Sequence, residues 1–304
     1  MSPFFIFSQS TKEEVQFNKF HLSDSILGEH KVPLSLSTIN TQIKFNPLRT
    51  KPDYSTLAGV GGIYLAAGVG VHLYQNNSWW RGKRTNKFRV INDWTYALNI
   101  DKIGHFYATQ LLGHLFSSGL EAGNIESETA AIYGGIAALA FELYVEIEDG
   151  FGIDYGFSPG DAASDVLGSA YYIAQYYYPF LKNFQFKYSY YPSNQLREGK
   201  HKGIIDDYEG EKYWLSIRIK NLLPENLSGY WPSFLNIACG MGVENLYGEG
   251  EKQRKFYIAF DFDAEALPLY GRGWEFIKNT LNYFHFPMPG IRISPNSAFF
   301  VFLF

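Results

Sequence analysis

The chain carries a single cysteine, Cys239, among 304 residues, which excludes an intrachain disulfide and any cysteine cluster for zinc. It is also short of charge. Asp, Glu, Lys and Arg make up 18% of it, below the roughly 25% of ordinary soluble proteins. The formal net charge is -4, and no basic stripe with interleaved aromatics is present, so nucleic acid is not an expected partner. No repeat at a solenoid or propeller period is visible. The glycine-rich "GVGGIYLAAGVG" follows no strand and lacks a Lys-Ser/Thr pair, which argues against a phosphate loop. There is no Gly-x-Ser-x-Gly elbow for a nucleophilic serine.

What the chain has in excess is aromatic surface: 23 Tyr and 26 Phe, with aromatics at 18% overall. Such residues suit pleated sheets and lipid-water interfaces. The length allows one large domain or two ordinary ones, and the pattern divides the chain in three. Residues 1–53 read as a signal remnant and irregular lead-in. "MSPFFIFSQS" is similar to the tail of a secretory signal peptide without its basic start, or to a frayed apolar terminus. No cysteine follows it to take a lipid, and "INTQIKF" is one short expected strand.

Residues 54–181 read as a bundle of about four helices, over 57–74, 94–118, 128–149 and 158–178. The first is an uncharged apolar run of nearly membrane-spanning length, or else a buried helix of a soluble bundle, and its glycines suit close helix approach. "NNSWWRGKRTNKFR" after it reads as an interfacial turn. The fourth begins with Ser158 as cap, Pro159 at the first helical position and Asp161 three residues after the cap.

From residue 182 the period changes to two. "FQFKYSYY", "KYWLSIRIKNL" and "KFYIAFDFD" are expected strands, "FLNIACGMGV" and "AFFVFLF" weaker ones, and "GWEFIKNTLNYF" is an amphipathic helix among them. An aromatic ending at Phe304 is common in outer-membrane strands, yet a complete transmembrane barrel needs about eight strands. Only five or six are legible. The expected fold is therefore α+β: a membrane-associated helical bundle followed by an antiparallel, aromatic-rich β region.

Within the apolar helices, polar groups recur at four-residue spacing: Asp101 and His105, Glu142 and Glu146 with Asp149 beyond, Asp161 and Asp165. Four-residue spacing puts each pair on one helix face, so three successive helices each offer a polar stripe. Buried carboxylates must be paired, protonated or bound to a cation. Two readings follow. In one, Asp101, Lys102, His105, Ser158 and Asp161 belong to a structural polar network that fixes helix register. In the other, His105, Glu142 and Asp165 do acid-base chemistry, or His105, Glu142, Glu146 and Asp149 ligate a divalent metal, because imidazole with carboxylates suits Mn, Fe or Zn. The spacing lacks the Glu-x-x-His of di-iron bundles and the His-Glu-x-x-His of zincins. His114, nine residues past His105, reads as a core residue.

"WTYALNIDKIGHFYATQLLGHLF" followed by "FELYVEIEDGFGIDYGFSPGDAASDVLGSAYY" resembles the YfiM-like family of predicted periplasmic lipoproteins, a domain of unknown function, and is distantly similar to VanZ-like membrane proteins. The pattern is Asp-Lys-x-x-His, an acidic helix, then Gly-Phe-Ser-x-x-Asp. The matching positions are Asp101, Lys102, His105, Glu142, Asp149, Phe157, Ser158, Asp161, Asp165 and Gly168. The resemblance implies a cell-envelope location, which we place at the periplasmic side of the outer membrane, and supplies no activity. The chain departs from the short lipoprotein form in lacking the lipid-attachment cysteine and in adding the strand-rich half. The expected partner is a membrane lipid or an envelope protein. The first functional expectation is a non-catalytic envelope protein, and the competing one a hydrolase or transferase acting on an envelope lipid or glycan.

Overall fold

Four long helices come first. In the computed structural model, which describes residues 51–199, 206–247 and 250–304, they are α1 (Tyr54–Gln75), α2 (Ile100–Ala122), α3 (Ser127–Gly150) and α4 (Pro159–Tyr177). The N-terminal apolar run and the short "INTQIKF" strand lie outside the described residues. A six-stranded antiparallel sheet follows, with strands in chain order: β1 (Phe184–Tyr190), β2 (Glu211–Ile217), β3 (Leu235–Glu244), β4 (Gln253–Phe262), β5 (Met288–Ser294) and β6 (Ala298–Leu303). Helix α5 (Arg272–Leu281) sits between β4 and β5. The architecture is α+β, as the change of period indicates.

Three of the helices pack tightly because small residues line their crossings. A Cβ on Gly134 of α3 would lie 2.7 Å from the Ser117 backbone nitrogen and 2.8 Å from the Gly113 carbonyl, so α2 and α3 touch backbone to backbone. A Cβ on Gly168 of α4 would lie 2.4 Å from the Phe106 carbonyl. The glycines of α1 behave differently: Gly59, Gly61, Gly62, Gly68 and Gly70 have nothing near their Cβ positions. The close approach expected of α1 occurs instead within the α2–α4 trio. Helix α1 leans on α2 through Leu57 and Tyr64, whose hydroxyl donates to the Leu115 carbonyl at 2.5 Å, and its only buried residue is Gln75.

Helix α2 starts later than its apolar pattern does. Ala97, Leu98 and Asn99 all take left-handed φ values of 45°, 58° and 70°, which costs on the order of 1 kcal/mol or more at each non-glycine residue. The turn is held by the surroundings. Ala97 and Leu98 pack against Ile100, Val243 and Leu246, and the Leu98 carbonyl accepts from Arg254 Nε at 3.0 Å. Helix α4 starts where its cap dictates, the Ser158 hydroxyl accepting from the Asp161 N–H at 3.1 Å.

The sheet curls. The free edge of β1 is bridged by the backbone of residues 283–285: Tyr188 N–H donates to the Tyr283 carbonyl at 2.9 Å and His285 N–H to the Tyr188 carbonyl at 2.8 Å. The enclosed face holds the buried polar groups beside an apolar cluster of Trp214, Ala238, Tyr257, Ala259 and Leu303. Lys187 Nζ pairs with Asp261 at 2.7 Å and donates to Asn282 Oδ1 at 2.8 Å. His285 Nδ1 meets the other Asp261 oxygen at 2.8 Å, and its ring stacks on Trp214 with centroids 4.0 Å apart. Lys187, Asp261 and Ser216 have no exposed surface.

The Phe-rich face points outward. At β1 and β2 it receives the bundle: Phe106 packs edge-on to Phe186, and Tyr107 stacks on Tyr188 and donates its hydroxyl to the Tyr283 carbonyl at 2.8 Å. At β4 to β6 nothing described covers it, and Phe256, Ile258, Phe260, Ile291, Ile293, Phe299 and Val301 are exposed.

Candidate functional site

The polar stripes of α2, α3 and α4 converge on His105. Its position follows from the four-residue spacing: Asp101 and His105 leave α2 on the face that meets α4, which returns Asp161 and Asp165, while α3 supplies Glu142 and Glu146. His105 Nδ1 lies 3.1 Å from Asp165 Oδ1. Because a carboxylate can only accept, Nδ1 carries the proton. The other ring nitrogen, Nε2, faces Glu146 Oε1 at 3.8 Å, Asp161 Oδ1 at 3.8 Å and Asp101 Oδ1 at 4.0 Å.

Lys102 is the second cation. Its Nζ bonds Asp161 at 2.7 Å, Asp101 at 2.9 Å and Asp93 at 3.0 Å. Asp93 precedes α2 in a loop and also accepts the Ser158 hydroxyl at 2.5 Å. Glu146 uses Oε2 to accept the Ser158 N–H at 3.0 Å, and Asp149 accepts the Trp80 indole N–H at 2.6 Å. Tyr208, from the connection between β1 and β2, donates to Asp101 Oδ1 at 2.8 Å.

The carboxylates outnumber the two cations, and the proton affinities show it. Burial pushes Glu146 up to about 8 and Glu142 up to about 7, the latter helped by the charge of Asp165. Burial likewise pushes Asp149 and Asp161 up to about 6, with His105 opposing in both. Burial alone would lower the His105 pKa, but Asp165, Asp161 and Asp101 hold it well above the usual imidazole range. Asp101 is also penalised by burial, yet His105 and Lys102 keep it below the ordinary carboxylate value.

Two sets of donor atoms lie within 4.8 Å of one another: Asp101, His105 and Asp161, and His105, Glu142 and Asp165. Sequence spacing brings His105, Glu142, Glu146, Asp161 and Asp165 to one place and leaves Asp149 against Trp80. It gives no sign of Asp93 or Tyr208, which reach the cluster from loops. His114 stands apart, its Nε2 2.9 Å from the Thr280 hydroxyl and its ring stacked between Phe276 and Tyr283.

The convergence falls within one recognisable segment. Residues 91–177 match the model of a family described as predicted periplasmic lipoprotein, DUF2279. The match covers under a third of the chain. No curated protein and no solved structure matches the chain. The DUF2279 segment holds α2, α3, α4 and the loop residue Asp93, so the His105 cluster lies inside it except for Trp80 and Tyr208. The sheet, which supplies Tyr208, lies outside it.

Proposed function

We propose that this is a non-catalytic cell-envelope protein that docks into a membrane through α1 and the outer face of β4 to β6, at the periplasmic side of the outer membrane, where it binds lipid or a membrane partner. The observation that carries this reading is the exposure of α1. Ile63 is 67% and Leu65 71% exposed, and none of the helix's most apolar window is buried. Its 22 residues extend roughly 33 Å at 1.5 Å each, against a hydrocarbon layer of about 30 Å. Trp79, Arg81, Lys83 and Arg84 follow it, as suits a headgroup region. The envelope location accords with the description of the DUF2279 family, and kinship with YfiM-like and VanZ-like proteins is part of the proposal.

Flotation with phospholipid vesicles tests it. The parent protein floats with the vesicles, and Leu65→Lys, which puts a charge in mid-helix at a cost of roughly 3 kcal/mol, shifts it to the unbound fraction. A detergent-free protein that ignores vesicles would refute the reading.

One observation favours a second reading, a metal-assisted or acid-base hydrolase or transferase acting on an envelope lipid or glycan. His105, Glu142 and Asp165 are gathered together, yet 20% of the His105 side chain remains open. Asp165 would orient the imidazole, and Glu142, near neutrality in pKa, would exchange the proton. Turnover of phospholipid or peptidoglycan fragments by the parent, lost in Glu142→Gln, is its test.

A further inference from the structure

His105 is arranged as a ligand whose far side is already engaged. Its Nδ1–H is taken by Asp165 Oδ1, so Nε2 faces the space between α2, α3 and α4, where a bound metal ion would displace the proton that the carboxylates otherwise favour on it. Three carboxylate oxygens from the three helices face that atom at 3.8 to 4.0 Å, too far for a hydrogen bond. Two donors sharing one divalent ion at about 2.1 Å each lie about 3 Å apart at right angles and about 4.2 Å apart when opposed. The spacing here falls inside that range.

Two further observations point to a ligand. Asp161 is 5% exposed, and its Oδ1, which faces Nε2 at 3.8 Å, has no hydrogen-bond partner beyond its ion pair with Lys102. Glu146 is 97% buried, since only 3% is exposed, and it spends Oε2 on the Ser158 N–H while Oε1 is turned to the gap. Ionised carboxylates so buried are costly without counter-charge, and among the described residues the two cations, Lys102 and the protonated His105, are fewer than the carboxylates around them.

We propose that His105 Nε2 and the carboxylates of Asp101, Glu146 and Asp161 hold one divalent transition-metal ion, and that Asp165 is the positioning residue for the imidazole. One nitrogen with three carboxylates is a donor set for Mn, Fe or Zn. The Asp165–His105 contact is the carboxylate–histidine pairing that fixes the tautomer of metal-bound imidazoles. Lys102 on Asp101 Oδ2 and Tyr208 on Asp101 Oδ1 hold the first ligand in place. Relative to the set read from spacing, His105 and Glu146 stay, and Asp101 and Asp161 take the places of Glu142 and Asp149. Asp149 is engaged by Trp80, and Glu142 groups with Asp165. The proposal is independent of membrane docking and gives the second reading its metal.

The test is a titration of Mn²⁺, and separately Zn²⁺, into chelator-stripped full-length protein in detergent, followed by calorimetry and, for Mn²⁺, by electron spin-echo spectroscopy for ¹⁴N coupling. One ion per chain is expected, with coupling from one imidazole. His105→Gln removes the coupling and weakens binding at least tenfold. Asp165→Asn weakens it about 10- to 100-fold but keeps the coupling at saturation. A folded parent that takes up neither ion, a bound Mn²⁺ without imidazole coupling, or a His105→Gln protein that binds as tightly as the parent overturns the proposal. Should that variant not fold, the coupling in the parent decides. Vesicle flotation is indifferent to these results, so each idea fails separately.

Discussion

His114 should make the fold acid-sensitive by a calculable amount. The ring is 8% exposed, stacked on Phe276 and Tyr283, with the Thr280 hydroxyl on Nε2 and Ser118 near Nδ1. Among the described residues the charge of Glu265 favours its protonation, but burial outweighs it, pushing the pKa down from 6.5 to about 4. A depressed histidine pKa means that the unfolded chain takes up a proton the folded chain refuses. Its contribution is therefore complete above pH 6.5 and drains away as pH falls toward 4. At about 1.36 kcal/mol per pKa unit, the loss between about pH 7.5 and about pH 5 is roughly 2 kcal/mol. Other groups titrate over the same range, so the quantity to measure is a difference. Urea unfolding followed by tryptophan fluorescence, in mild detergent, is compared for the parent and His114→Gln. The variant loses the ring stacking and is less stable near neutrality, but it has no proton to take up, and its deficit should shrink by about 2 kcal/mol at the lower pH. A deficit constant to within about 0.5 kcal/mol would refute the argument that this histidine is held neutral.

Gly134→Val should destabilise the α2–α3 crossing by about 1 to 3 kcal/mol or prevent folding, because the new Cβ would meet the Ser117 and Gly113 backbone; thermal melting within a degree of the parent would contradict that contact. Lys187→Met leaves Asp261 sealed inside the curled sheet with one partner fewer, and should cost about 3 to 5 kcal/mol. The double variant Lys187→Met with Asp261→Leu should recover part of that loss in the same denaturation assay, and no recovery would show that the pair is not the reason.

Local chemistry made the helices legible. The Ser158–Pro159–Asp161 signal places the start of α4 within one residue, and the four-residue spacing of Asp101 with His105 and of Glu142 with Glu146 announces polar stripes, because both depend only on neighbours along the chain. Asp93 and Tyr208 were not legible as site residues, since a loop aspartate and a linker tyrosine carry no periodic signal and reach the cluster only through tertiary packing. The same limit explains α2, which begins at Ile100 rather than near residue 94: side-chain pattern cannot report three left-handed residues held by Val243 and Arg254. In the sheet, Pro289 disguised β5, and the apparent alternation of "KYWLSIRIKNL" runs past Ile217 into a single helical turn at Ile219–Leu222. Alternation also separates the two faces of a strand without saying which is enclosed. Here the face with Lys187 and Asp261 closes on itself, and the Phe-rich face is left outside.

That inversion bears on how the protein reaches its place of work. A sheet that turns Phe256, Ile258, Phe260, Phe299 and Val301 outward gathers apolar side chains on one face that no described residue covers, so folding concentrates their exposure rather than relieving it. On the membrane docking proposed above, the chain between synthesis and lipid would travel with an escort or unfolded, and copies that folded early would find each other first.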